Sequence, residues 1–168
     1  MRLGSFIISA CLFIFCSVTA QGQKLAHVNT QEILSELPEV QKAQQKLQTF
    51  SEALDKQYQE LNTEYMNKLD KYQSEAETMA ESVRKMREEE LSELQSRIQR
   101  FQQQAQGDVA QKRQELLEPI LGRVEDTIER VAKENGYTMV MDSSTGAVVY
   151  ADESTEITAK VKAALGVQ

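Results

Sequence analysis

The longest uninterrupted pattern in this sequence is a helical one. Between Glu39 and Gln106 there is no glycine and no proline. Apolar residues recur there at steps of three and four, the spacing that places them on one face of an α-helix. They form a first run of Val40, Ala43, Leu47, Phe50, Leu54, Tyr58, Leu61, Tyr65, Leu69, Tyr72, Ala76, Met79, Val83 and Met86, and a second run of Leu91, Leu94, Ile98, Phe101, Ala105 and Val109. A repeat of this length exceeds an ordinary globular helix, so the sequence predicts an extended, largely helical protein.

The two runs are predicted to pack as an antiparallel hairpin. A single helix of about 95 residues would be about 140 Å long, so a chain of this size is expected to fold it back on itself. We place the hairpin at residues 39–118 and its tip near residues 78–88. Pro119 removes one helical hydrogen bond and predicts a kink, and Asn135-Gly136 predicts the end of the second helix.

Three tyrosines stand seven residues apart at Tyr58, Tyr65 and Tyr72. Seven residues are nearly two helical turns, so the three rings lie within roughly 40° of one another. Such a stripe either closes the seam of the hairpin or is a surface that binds a partner. We expect the rings to hold the two helices together, with their edges left accessible.

The remaining segments, residues 21–38 and 119–168, predict a small body that contains β-strands. A strand is expected at 24–28, a short helix behind a capping box of Asn29 and Glu32, a β-hairpin from 137–142 and 147–150, and a last helix at 156–165. Three short strands make a poor core, so we expect other copies of the chain to complete it. The predicted fold class is therefore α+β, predominantly α, with a small β-containing body completed by other copies of the chain. Body residues assigned to this assembly are Val28, Ile33, Leu34, Met139, Val140, Met141, Val148, Val149, Tyr150 and Ile157.

The first 20 residues predict a cleavable secretory signal, cut after Ala20. Their apolar run is about 13 residues, whereas a membrane span needs about 20. The residues before Cys11 also suit a lipid-modified cysteine, although cleavage there would leave a short apolar stretch. Both cysteines, Cys11 and Cys16, lie in this signal, so the exported chain would have no disulfide. This combination favours a compartment of the bacterial envelope over eukaryotic secretion, with no stable insertion in the membrane.

The charge balance excludes some classes of partner. The chain has 19 Lys and Arg against 26 Asp and Glu, a net charge of −7. An acidic protein lacks the positive surface that would attract nucleic acids and anionic lipids. We therefore predict no nucleic-acid partner.

No pattern in the sequence predicts an enzyme. His27 is the only histidine, which leaves no histidine cluster for a metal or for a Ser/His relay. Ser143-Ser144 lacks the context of a nucleophile elbow, and Glu88-Glu89-Glu90 follows basic residues with which it can form ion pairs along a helix. We predict no catalytic site, no metal and no cofactor.

The order of several short segments around the long helical stretch resembles the Skp/OmpH family of periplasmic chaperones for outer-membrane proteins. These segments are residues 24–39, 117–120, 131–137, 140–142, 149–150 and 156–158, with Val161 and Leu165. The resemblance implies a homotrimer whose strands form a β-barrel-like body, from which three helical hairpins project like tentacles. It implies that unfolded outer-membrane proteins are held between the tentacles without ATP and passed toward the outer-membrane insertion machinery. The alternative is a structural coiled-coil spacer or adaptor of the envelope.

Under this interpretation the client-binding candidates are the aromatic and methionine residues of the hairpin. They are Phe50, Tyr58, Tyr65, Tyr72, Met79, Met86 and Phe101. The chain departs from the strongly basic members of the family, because its only basic spot near the predicted tip is Arg84, Lys85 and Arg87. Lipopolysaccharide binding is therefore left open.

Overall fold

The computed structural model describes residues 23–167, so the predicted signal peptide and its cleavage site lie outside the described residues. Six regular elements follow one another, with a short 3₁₀ turn at Glu153–Thr155 before the last. They are β1 Leu25–Val28, α1 Thr30–Glu36, α2 Pro38–Glu75, α3 Glu81–Glu134, β2 Met139–Asp142 and α4 Thr158–Leu165. The predicted α+β class with a long helical hairpin is confirmed.

Helices α2 and α3 pack against each other as a hairpin, here called the arm, which has the predicted apolar seam. Every residue of the first run from Val40 to Met79 is buried or half-buried, and so is every residue of the second run. Leu91, Leu94 and Ile98 are the most deeply buried residues of the distal half. The helical period therefore identified the seam, because steps of three and four keep these side chains on one face.

The tip of the arm lies at the start of the predicted range. Helix α2 ends at Glu75, and α3 already begins at Glu81. The amides of Thr78 and Met79 donate to the Glu75 carbonyl oxygen at 3.0 and 3.1 Å, which closes the turn with backbone hydrogen bonds and needs no glycine. Most of residues 78–88 is therefore helical, and Val83 and Met86 are exposed instead of lying in the seam.

Helix α3 continues past Pro119 and ends where the sequence predicted. Gly136 has φ +71°, and the Tyr137 amide donates to the Ala132 carbonyl oxygen at 3.0 Å. A left-handed residue after the last turn is a common helix end, and glycine adopts it without strain. The kink at Pro119 stays a prediction.

Strands β1 and β2 form a parallel pair, in register from Leu25–Met139 to Val28–Asp142. The predicted hairpin between 137–142 and 147–150 is wrong, because residues 147–150 form no strand and β2 pairs only with β1. β-type residues favour a half-buried pleated surface. In a single chain Val149 and Tyr150 have no such surface, and they are 97% and 88% exposed.

The core of the body joins segments from both ends of the chain. Its most deeply buried side chains are Val28, Ile33, Leu37, Ile157 and Val161. The Asn29 side chain caps α1 by accepting from the Glu32 amide at 3.0 Å, which confirms half of the capping box. The Asn29 amide instead donates to Thr158 Oγ1 at 3.0 Å, tying α1 to the start of α4.

Gly107 lies inside α3, and a Cβ added there would meet no atom within 4 Å. Glycine in a helix interior costs about 0.5–1 kcal/mol relative to alanine. We therefore expect Gly107→Ala to raise the free energy of unfolding by about this amount in urea titrations. Gly136→Ala, also free of steric contact but at φ +71°, should lower it. The same sign for both substitutions would contradict the conformational explanation.

Candidate functional site

The outer face of the two-stranded sheet is apolar and uncovered. Alternate residues of the strands point away from the core, and they are Leu25, His27, Met139 and Met141. Leu25, Met139 and Met141 are 43%, 54% and 41% exposed. Large exposed apolar side chains grouped on one face mark an interaction surface, so this outer sheet face is the first candidate site.

The edge of β2 extends the same surface. Within residues 23–167 this strand has a ladder partner on one side only, and its second edge carries unpaired backbone groups. An open edge is a template for pairing with another strand. The β-type segment 147–150, exposed except at the half-buried Val148, follows β2 closely, so one chain carries both an open edge and a segment suited to pair with an edge.

A half-buried carboxylate fixes β2 to the start of α1. Asp142 accepts from the Thr30 hydroxyl at 2.6 Å and from the Thr30 amide at 3.3 Å, and it accepts from the Ser144 amide at 2.9 Å. Burial alone would raise the pKa of Asp142, but the hydrogen bonds from Thr30 and Ser144 outweigh it and hold the pKa below its usual value. The charged form of Asp142 is therefore the one that stabilises the body.

We expect Asp142→Asn to destabilise the protein by about 1 kcal/mol at pH 7, through loss of charge-assisted hydrogen bonds. A carboxyl whose pKa is lower in the folded state stabilises above its unfolded pKa and loses that effect as the pH falls through the folded value. The gap between wild type and variant should therefore shrink below about pH 4. Urea unfolding at pH 7 and pH 3.5 checks this, and a pH-independent gap would contradict it.

The tyrosine stripe lies along the seam of the arm. Tyr58, Tyr65 and Tyr72 are all half-buried, so each ring contributes to packing while part of it stays accessible. The Tyr72 hydroxyl donates to Glu88 Oε1 across the hairpin at 2.6 Å. This hydrogen bond is the main cause that raises the pKa of Tyr72. The two helices are thus linked near the tip by a polar contact at the rim of an apolar seam.

The seam opens halfway along the arm. A groove of about 580 Å³ lies between α2 and α3, lined by Ser51, Leu54, Asp55, Tyr58, Phe101, Gln102, Ala105, Gln106 and Val109. The short side chains of Ser51 and Ala105 leave this space open. We call it the mid-arm groove, the second candidate site.

The basic spot near the tip is largely paired with acids of the same helix. Arg84 lies 2.9 Å from a Glu81 oxygen, and Arg87 lies 2.8 Å from a Glu90 oxygen. The hydrogen bond from Arg87 is the first cause that lowers the pKa of Glu90. These residues therefore offer little concentrated positive charge to an anionic ligand.

The described residues contain no group of three metal-ligating side chains. His27 lies on the outer sheet face, with Nε2 3.4 Å from the Asp152 carbonyl oxygen. Its Nδ1 is buried and has no hydrogen-bond partner among residues 23–167. In the same part of the chain no helix is both long and apolar enough to cross a membrane.

A family model described as outer membrane protein (OmpH-like) matches residues 24–165. The chain belongs to this family. Among curated proteins it is 29% identical over 150 residues to "Chaperone protein Skp" of Yersinia enterocolitica, covering 89% of this chain and 90% of that protein.

The fold is also similar to a solved structure. A crystal structure of an OmpH-like protein from Caulobacter crescentus superposes with a TM-score of 0.75 at 18% sequence identity. The match covers 86% of this chain and 84% of that one. At this identity the likeness shows the fold, a hairpin arm on a small body.

The predicted site residues of this OmpH-like chain fall into three groups. In the arm, Phe50, Tyr58, Tyr65, Tyr72, Met79 and Phe101 are half-buried in the seam, whereas Met86 is exposed. In the body, Val28, Ile33 and Ile157 lie in the core of the single chain. The remaining body residues are accessible to different degrees: Leu34, Val140 and Val148 are half-buried, and Met139, Met141, Val149 and Tyr150 are exposed.

Sequence reasoning missed two contacts that position the sites. Lys162 donates to Glu32 at 2.6 Å and to Glu36 at 2.7 Å, and these bonds raise the pKa of Lys162. They hold α4 against α1, although the bonded residues are more than 120 positions apart in the sequence. A periodic pattern among neighbouring residues cannot predict a contact over that separation. The role of Asp142 had a local signal, since an Asp followed two residues later by a polar residue favours a side-chain-capped turn.

Proposed function

We propose that this protein is an ATP-independent holdase chaperone of the periplasm, which binds unfolded outer-membrane proteins between the arms of a homotrimer and prevents their aggregation. The observation that carries this proposal is the long arm with a half-buried aromatic seam on an OmpH-like fold. Membership of the OmpH-like family supports a chaperone role, and the curated relative is itself named a chaperone.

The outer sheet face supports the homotrimer. A two-stranded sheet with one apolar face exposed is marginal in water, and a second and third copy would remove Leu25, Met139 and Met141 from solvent. The β-type segment 147–150 of one copy would then meet the open β2 edge of another. The body would gain strands by assembly, while the arms stay free to bind a client.

The arms would act through many weak contacts. Half-buried rings and flexible thioethers can adapt to varied apolar side chains. Once one arm holds a client, the others meet it at a raised effective concentration. Such binding needs no catalytic group, so we propose that the protein is not an enzyme, and that clients pass from it to the outer-membrane insertion machinery.

A test of the proposed function dilutes a urea-unfolded outer-membrane barrel protein into buffer with residues 21–168 and follows turbidity. We expect aggregation to be suppressed at one trimer per client, and multi-angle light scattering to give three chains. An equal concentration of an unrelated coiled-coil protein is the control. Equal turbidity with and without the protein would favour the envelope spacer, and a monomer across micromolar concentrations would refute the trimer.

A further inference from the structure

The mid-arm groove is packed less tightly than the part of the seam that α3 forms nearer the tip. Toward the tip, Leu91, Leu94 and Ile98 are buried between the helices. In the groove, Phe101 and Ala105 are only half-buried. The side chains therefore leave an open apolar trough where they would otherwise interlock.

The groove is lined by apolar side chains and has polar side chains at its rim. Leu54 and Val109 supply aliphatic surface, and the rings of Tyr58 and Phe101 face the same space. Gln102 and Gln106 stand at the rim, and neither side chain makes a hydrogen bond within residues 23–167, whereas Gln104 bonds Asp108 at 2.9 Å. Amides without a partner can bond the main chain of an extended peptide.

One charge marks the rim of the groove. Asp55 is its only ionisable carboxylate, it is exposed, and it forms no ion pair in the described part of the chain. Several other acids of the arm are paired with a base, as Glu115 is with Lys112 at 3.3 Å. An unpaired carboxylate beside aromatic rings suits a ligand that carries an apolar ring and a neighbouring cation.

The groove also lies away from the surface proposed for assembly. Leu54 follows Pro38 by 16 residues of helix, so the groove is about 24 Å along α2 from its beginning. The outer sheet face belongs to the body, so contacts between bodies leave the groove accessible.

We infer that the mid-arm groove binds one aromatic side chain of an unfolded client, with Asp55 pairing a Lys or Arg beside it. This inference rests on the proposed function and names the segment that the arm selects. Transmembrane β-strands carry aromatic residues at both membrane interfaces and alternate apolar with polar residues. When such a segment is unfolded, its aromatic rings are accessible together with the polar residues next to them in the sequence.

The absence of tryptophan from the chain makes the test direct, because all tryptophan emission then comes from the peptide and its change on titration reports binding. The probes are two unstructured peptides with a single Trp, one flanked by Lys and one by Glu. We expect the Lys peptide to bind more tightly to the full-length mature protein. We expect Asp55→Asn to remove most of that preference, while Asp70→Asn, an exposed charge-matched control on the same helix, retains it.

A second variant fills the groove. Ala105→Leu should weaken binding of the Lys peptide about fivefold or more by occupying the space of the ring. Ala110→Leu adds the same atoms at an exposed position of the same helix and should leave binding unchanged. Circular dichroism confirms that both variants are helical.

The outcomes separate this inference from the proposed function. Equal peptide affinities for Ala105→Leu and wild type, or no loss of preference in Asp55→Asn, would overturn the groove as the binding site even if aggregation is still suppressed. The expected peptide pattern without suppression of aggregation would support the groove and refute the holdase.

Discussion

Substituting glutamate for both Met139 and Met141 is expected to convert the proposed trimer into monomers. Both side chains lie on the outer sheet face and are exposed in the single chain, so the substitutions leave the core of each chain intact. Assembly would have to bury two unpaired carboxylates per chain, at a cost of several kcal/mol for each ion. Sedimentation velocity at micromolar concentration measures the change from three chains to one.

The matched control places the same charges on the arm. Met66→Glu with Met86→Glu alters two methionines that are as exposed as the first pair but belong to α2 and α3. This control should remain trimeric. If the body variant stays trimeric, or if both variants dissociate alike, the outer sheet face is not the contact between copies.

Replacing Tyr58, Tyr65 and Tyr72 together by alanine is expected to lower both the stability of the arm and the retention of clients. The three half-buried rings contribute packing along α2, and their loss should lower the melting temperature by about 10 °C. Thermal circular dichroism measures stability, and the turbidity assay measures how far the variant still suppresses aggregation of the client. Without these rings the arm loses much of the apolar surface available to a client.

Phenylalanine at the same three positions separates packing from hydrogen bonding. It keeps the rings and removes the Tyr72 hydroxyl that donates to Glu88, so the melting temperature should stay near that of the wild type. Normal melting and normal client retention in the alanine variant would show that the stripe serves neither role.

The arm could be predicted from the sequence because its pattern is local. The residues from Val40 to Met79 return to one helical face every three or four positions, and the structure places all of that run in the seam. The tip was predicted less well, since a turn closed by backbone bonds to Glu75 leaves no glycine or proline to mark it. The mid-arm groove was not predicted, because it depends on which small side chains face each other across the two helices.

In the body, the strand pairing could not be predicted from the sequence. Segments 137–142 and 147–150 both contain β-type residues, yet only the first contributes a strand, which is parallel to β1. Pairing is decided by which backbone edge lies nearby, and β1 is more than 100 residues away in the sequence.

The sequence by itself determined the elements that depend on neighbouring residues: the helical period, the cap at Asn29 and the glycine end of α3. Only the tertiary structure decided the strand partner, the exposed outer sheet face, the clamp of Lys162 on Glu32 and Glu36 and the groove at Ala105. The physical reason is the separation in sequence over which each kind of interaction acts. Backbone geometry repeats its pattern within a few residues, whereas burial and strand pairing arise between segments that meet only after the chain has folded.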